Sequence, residues 1–296
     1  MIDKEEARRA LDEFWGISGE AERISGERDL NFRIIGKGKQ LLKYYQDTTE
    51  IDYLALQDRA LAHLKNLKLV PELIKTKDGS TTIKSGNGLL RLLEWIEGQM
   101  WAEKSSHSTE EIIELGRVVA KIDAELKNLE ISKAERELLD RDFIWNMLQA
   151  DRALQWVDKI TDAETKENVI QTLESFRKNA KEALLHMPSQ LIHNDANEWN
   201  IVSTDSGPKI IDFGDLIFAP RIVGLAVAGA YLSLGASDPT FEISKLIRGY
   251  HSITPLTIEE IEVLHLLVKT RIAMSIANAA LQISANPENT YLEISQ

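Results

Sequence analysis

The run from 191 to 215, LIHNDANEWNIVSTDSGPKIIDFGD, sets His193, Asp195 and Asn200 in an H-x-D-x-x-x-x-N pattern and follows it with Asp212-Phe213-Gly214. Phosphoryl transfer needs a carboxylate to orient and deprotonate the attacking hydroxyl. It also needs two oxygen ligands to hold Mg²⁺ on the nucleotide phosphates. Asp195, with His193 beside it, suits the catalytic task, and Asn200 with Asp212 suits the metal. A lone D-F-G, or an Asp after a His, is commonplace in solvated turns. Here three polar residues come in order, behind the apolar Leu191 and Ile192 and ahead of two apolar strands around Ser206-Gly207-Pro208. That joint pattern is much harder to reach by chance, and its Asp-to-Asn step is the spacing of a phosphoryl-transfer catalytic loop.

A bound triphosphate also needs a cation from the opposite wall of its cleft. Lys43 is the candidate, because it is flanked by Leu41, Leu42, Tyr44 and Tyr45, and a charge inside an apolar strand is unusual unless it has a partner. The competing reading is an exposed strand face, as for Lys37 and Lys39. In protein kinases such a lysine pairs with a glutamate on the next helix. Gln57 takes that position here and can hydrogen-bond but not pair as an ion; Asp52 is a weaker alternative. No G-x-G-x-x-G follows the first strand. Instead SGERDLNF (25–32) offers Gly26 for a tight phosphate-facing turn, and Arg28, which either meets phosphate or is solvated. Leu93, Glu94, Trp95 and Ile96 end the last strand of this region, and their backbone would meet an adenine or guanine ring.

These residues need two different kinds of scaffold. The first third mixes signals: an amphipathic helix at 3–14, a strand pair or a strand with a turn within 24–35, a turn at 36–38, a strand at 40–45, a helical stripe at 51–67 and strands at 71–74 and 89–95. From about 98 the pattern is mainly helical. Ser108-x-x-Glu111 reads as a capping box opening a helix to about 128. Helices are expected at 133–158 and 162–186, from 222, near 240–251, and after a second capping box, Thr257-x-x-Glu260. The expected fold is α+β and bilobal, with a small β-rich N-lobe (1–97) for the nucleotide and a larger, mainly helical C-lobe (98–296) carrying the catalytic loop, the metal turn and the substrate pocket.

Composition narrows the classes. The chain has 296 residues, 43% of them hydrophobic and 28% charged, and a formal net charge of −12. This is globular composition, and its charge opposes non-specific nucleic-acid binding. No cysteine is present, which removes disulfides, thiolate metal sites and a cysteine nucleophile. The longest apolar stretch, 222–236, is shorter than the ~20 residues of a membrane span. The charged, helix-like N-terminus gives no expectation of a signal peptide. The expectation is a cytoplasmic enzyme with no membrane or nucleic-acid partner.

GERDLNF (26–32), LLKYY (41–45), RLLEWIEG (91–98), LGRVVAKIDAEL (115–126), RDFIWN (141–146), HNDANEWNI, IDFGD, GYHSITPLT (249–257) and NPENTYL (286–292) together resemble the aminoglycoside phosphotransferase/choline kinase superfamily. Within it they are most similar to the hydroxylysine kinase branch, which includes kinase domains fused to class III aminotransferases. The resemblance implies a protein-kinase-like fold, Mg²⁺ with ATP or GTP, and phosphorylation of a small hydroxylated amine or amino acid. Homoserine, choline or aminoglycoside kinases are alternatives, as is a non-catalytic nucleotide-binding module. An apolar helix follows Asp215 almost at once, leaving no long segment to dock a polypeptide, and helices between 109 and 186 could roof a small pocket. Asp215, Glu198, Trp199, Arg141 and Trp145 are the candidate substrate contacts. The chain ends soon after NPENTYL, where relatives are expected to continue, so it reads as either a trimmed chain or one part of a longer protein.

Overall fold

Period-2 alternation in the first strands decides which side chains reach the cleft. The computed structural model describes residues 2–24, 26, 29–36 and 38–285. β1 (Gly19–Ile24), β2 (Leu30–Gly36), β3 (Lys39–Tyr45), β4 (Thr82–Ser85) and β5 (Gly88–Glu94) form an antiparallel sheet in the order β1-β2-β3-β5-β4. Phe32, Ile34, Leu42, Tyr44, Leu90 and Leu92 pack on one face with Ala7, Ala10 and Leu11 from α1 (Lys4–Ala10) and the turn that extends it. The opposite face therefore carries Lys43, which pairs in register with Arg91. α2 (Ile51–Leu64) closes this face, where Leu54 packs on Tyr45 and Leu89.

β6 (Gln99–Met100) already belongs to the other lobe, pairing with β8 (Ile201–Thr204), which pairs in turn with β9 (Gly207–Ile210). β7 (Ser189–Ile192) pairs with β10 (Ile217–Pro220). Residues 193–200 thus lie between β7 and β8 and residues 211–216 between β9 and β10, so the two chemistry-bearing loops face each other. Around them pack α3 (Thr109–Leu126), α4 (Lys133–Leu139), α5 (Ala163–Asn179), α6 (Lys181–His186), α7 (Arg221–Ser233), α8 (Pro239–Ile253) and α9 (Ile258–Ala285). The α3–α8 crossing is so close that a Cβ on Gly249 would lie 1.9 Å from the Ile113 carbonyl oxygen. The Ser108/Glu111 capping box opens α3 as expected. No described helix is long and apolar enough to cross a membrane; α7, which holds most of the longest apolar stretch, is buried among other helices.

Several expected elements differ. The first strand of the pair expected within 24–35 ends at Ile24, and the helix expected over 162–186 breaks at Ala180 into α5 and α6. The single helix expected over 133–158 stops at Leu139 and gives way to 3₁₀ turns over Met147–Gln155 and Val157–Lys159. Tertiary demand overrides the helical pattern here: Arg141 bonds Tyr53 and Gly214, and the Trp145 carbonyl accepts bonds from Asn194 and Arg271. The strand expected at 71–74 reduces to one bridge, Leu73 to Leu93.

α3 and α8 are also joined by a buried acid. Asp123 Oδ2 accepts a 2.8 Å bond from the Tyr250 hydroxyl, and burial pushes its carboxyl up to about 7 against that bond and Arg221. Below about pH 4, folded and unfolded chains both hold this proton; between about pH 4 and pH 7 only the folded chain does. Stability from this group therefore falls as pH rises through that window, by roughly 1.4 kcal/mol per pH unit at most. Asp123→Asn should flatten the drop in Tm between pH 5 and pH 8. An unchanged drop would show that Asp123 does not cause it.

Candidate active site

The left-handed turn that ends β9 brings the two lobes together. Asp212 adopts φ 59° and Asn194, in the facing loop, φ 64°. Both are non-glycine residues in a region that L-residues enter only at some cost, and such conformations cluster at functional sites. Asp212 opens onto the cleft, its side chain 44% exposed. Lys43 Nζ lies 3.2 Å from Asp212 Oδ2 and 3.2 Å from Asp29 Oδ2. Burial alone would depress the ammonium, and the neighbouring carboxylates outweigh it and raise its pKa. Asp212 feels the converse: desolvation opposes its charge, and Lys43 nevertheless holds its pKa below the usual carboxylate value. The contact joins strand β3 of one lobe to the D-F-G turn of the other.

His193 is buried and uses both ring nitrogens on backbone. Its Nδ1 accepts from the Asp195 amide at 3.2 Å, so its Nε2 carries the proton and donates to the Ile211 carbonyl at 3.1 Å. Its ring meets Phe213 edge-on at 4.6 Å. Burial pushes its pKa down, which keeps the imidazole neutral. This geometry ties the catalytic loop to the strand before Asp212. His193, read from the sequence as catalytic beside Asp195, thus spends both ring nitrogens on backbone.

Asp195 is held at both oxygens. Oδ1 accepts from Arg271 Nη2 at 3.0 Å and from Asn197 Nδ2 at 3.1 Å, and Oδ2 accepts from Asn200 Nδ2 at 2.7 Å. Burial and the nearby Asp215 push its carboxyl up to about 8, against Arg271 and Asn197. Because the Asn200 amide nitrogen is committed to Asp195, the other end of that amide presents a carbonyl oxygen. With the Asp212 carboxylate it makes a pair of hard oxygen donors. A donor set this small suits Mg²⁺, which keeps several waters and takes substrate phosphates for the rest of its shell.

The sequence reading of Gln57 needs correction. Its Oε1 accepts from Arg91 Nη1 at 2.8 Å instead of meeting Lys43. Arg91 is buried, pairs with Asp58 and also donates to the Tyr45 hydroxyl at 3.1 Å. Arg91 and Lys43 are neighbours on one sheet face, so two cations compete for α2, and the fully buried one takes its polar side chains. Lys43 turns to Asp212 and Asp29. Gly26 lies at the β1–β2 loop, where a Cβ would fall 2.7 Å from the Asp29 carbonyl oxygen; Arg28 lies outside the described residues. In the segment between the lobes, Leu93 is buried and Trp95 and Ile96 are partly so. The Glu94 amide donates to Glu72 at 2.8 Å and the Trp95 amide to Lys39 at 3.4 Å. Part of this backbone is therefore already committed.

Among the candidate substrate contacts, Asp215 is buried against Asp195, and Trp145 lies 4.9 Å from the Arg271 guanidinium. Glu198 lines a cavity beside the loop, and Trp199 is 42% exposed. Arg141 braces the D-F-G turn, donating to the Tyr53 hydroxyl at 3.0 Å and the Gly214 carbonyl at 3.3 Å. Sequence reasoning missed Asp29, Asn197 and above all Arg271, which is 1% exposed in α9 and also faces the Tyr231 ring. The signal for Arg271 was present: an arginine inside the apolar run LLVKTRIAMSIANAAL needs a partner.

Residues 20–261 match the phosphotransferase enzyme family. Hydroxylysine kinase of Mus musculus is 26% identical over 292 residues, which cover 88% of this chain and 77% of that protein. Hydroxylysine kinase of Bos taurus is 28% identical over 225 residues, which cover 72% of this chain and 58%, less than two thirds, of the bovine protein. Among solved structures, spectinomycin phosphotransferase in complex with ADP and spectinomycin superposes with a TM-score of 0.72 at 16% identity, over 99% of this chain and 92% of that one. At that identity the likeness is one of fold.

Proposed function

The chain belongs to the phosphotransferase enzyme family, and on that premise we propose that it transfers the γ-phosphoryl group of ATP or GTP to a hydroxyl of a small amine or amino acid, hydroxylysine-like compounds foremost. The carrying observation is the convergence of three groups at one cleft: Asp195 fixed at both oxygens, Asn200 bonded to it, and Asp212 on Lys43. The similarity to hydroxylysine kinases supports the acceptor class.

In this reading Lys43 and the 26–29 loop meet the phosphates, and the 93–96 segment meets the base. Asn200 and Asp212 would hold Mg²⁺, which when bound neutralises charge on the transferring phosphates. Asp195 orients the acceptor hydroxyl and takes its proton at Oδ2, the oxygen facing Asn200. His193 keeps the two loops in register. Asp215 and Trp145 border the space where the acceptor sits. The N-lobe, 1–97, supplies the nucleotide site and the C-lobe, 98–296, the rest.

The test is a panel of hydroxylated amino acids, amino alcohols, choline, homoserine and aminoglycosides, each with ATP and with GTP, scored by nucleoside diphosphate release. Turnover of a hydroxylated amine above the others supports the proposal. Turnover of aminoglycosides alone would replace the acceptor class. A further expected result concerns the metal. Asp212→Ala should abolish most of the gain in nucleotide affinity that Mg²⁺ brings, and Asn200→Ala should reduce it less, because the carboxylate supplies the charge. Calorimetry with and without Mg²⁺ reads both. An Asp212→Ala protein with wild-type Mg²⁺-nucleotide affinity excludes the metal assignment.

A further inference from the structure

A cavity of about 170 Å³ lies beside the catalytic loop, with Trp101, His107, Lys104, Ala196, Glu198 and Tyr231 in its wall. Two polar atoms of this wall, Glu198 Oε2 and His107 Nδ1, are buried without a hydrogen bond among the described residues. Buried polar atoms are nearly always paired, so two orphans in one cavity mark the place of something that donates hydrogen bonds. Both can act as acceptors, because burial and Lys104 push the His107 pKa down and keep its ring neutral. The surrounding charge points the same way. Lys104 is paired with Glu111, and Glu242, which acts on His107 from α8, is paired with Lys245 at 2.8 Å. Lys104 and Lys245 thus each have a carboxylate partner, whereas Glu198, whose carboxyl burial pushes up, has no ion-pair partner among the described residues.

The remaining wall is aromatic. His107 stacks on Trp101 with centroids 4.1 Å apart, and Tyr231 is the ring that also faces the Arg271 guanidinium, 5.5 Å away. Arg271 holds Asp195, and Ala196, the residue after Asp195, lines the cavity, so the cavity lies against the same loop. A primary ammonium brings three donors and one positive charge, and aromatic faces attract it. We propose that this cavity takes the ammonium group of the acceptor, with Glu198 as its ionic partner, His107 as a second acceptor of its hydrogen bonds, and Trp101 and Tyr231 as its walls. This rests on the reading of the acceptor as a small hydroxylated amine. A water cluster would also satisfy the two orphan atoms, and the experiment separates the two.

Glu198→Gln keeps the shape and removes the charge. Steady-state kinetics with the best hydroxylated amine and with its deaminated analogue should show KM for the amine raised roughly tenfold or more, and the preference for amine over analogue collapsed. Independently, butylammonium chloride titrated into the Mg²⁺-nucleotide-bound protein should shift the Trp101 indole N–H resonance, assigned with Trp101→Phe, and should bind roughly tenfold more weakly or worse to Glu198→Gln. Butylammonium bound equally by both proteins, or by neither, overturns the site. Glu198-dependent binding in a protein that phosphorylates no hydroxylated amine keeps the site and overturns the acceptor reading instead.

Discussion

Asp195→Asn is expected to lower kcat by roughly 10²–10⁴-fold, the ordinary worth of a positioned general base. The substitution is nearly isosteric, yet the amide cannot accept the hydroxyl proton. Its new NH₂ also points at a donor: whichever way the amide turns, it meets either the Arg271 and Asn197 donors at Oδ1 or the Asn200 donor at Oδ2. Orientation is lost along with basicity. The proposed phosphate site uses other residues, Lys43 foremost, so nucleotide affinity measured without Mg²⁺ should stay near wild type. Single-turnover kinetics and calorimetry separate the two quantities. A variant that turns over within about a factor of two of wild type would remove Asp195 from its proposed role.

The parts of this molecule that sequence pattern reaches are those with local causes. The side chain of Lys43 faces the cleft because strands alternate, and the capping box at Ser108 and Glu111 opens α3 because both partners lie within one turn. The catalytic loop and D-F-G turn were visible because their chemistry sits in 25 consecutive residues. What stayed hidden depends on pairings across long separations. The helical pattern over 133–158 was real, yet Arg141 and Trp145 bond groups in α2, the D-F-G turn, the Asn194 loop and α9, and the chain unwinds to deliver them. Gln57 lost Lys43 to a competitor on a neighbouring strand, Arg91. The pairing of Lys43 with Asp29 could not be foreseen, because a loop acid's partner depends on how the β1–β2 turn folds back. Arg271 lies 76 residues from Asp195, and only its apolar neighbours hinted that it had a partner.

That separation leads to the second large effect. Arg271→Met should lower kcat by roughly 10²-fold or more while leaving the nucleotide KM nearly unchanged, because removing one member of a buried ion pair strands the other at a cost of about 3–5 kcal/mol. The stranded group is Asp195, whose charge Arg271 favours against burial and Asp215. Without Arg271 that opposition is lost and the protonated form gains, and a protonated carboxyl is no base. Arg271→Lys, with a point charge in place of a planar fork, should recover part of the loss. A purely structural arginine would also lower activity when removed, so the decisive measurement is a double-mutant cycle. If Arg271 acts through Asp195, adding Arg271→Met to Asp195→Asn should lower kcat little further, since residues that act as a unit are not additive. The same cycle read by thermal unfolding should show Arg271→Met destabilising the Asp195→Asn background less than the wild type, because no charge is left stranded there. Additive losses in kcat would mean that Arg271 supports the fold of α9 and Trp145 independently of the base.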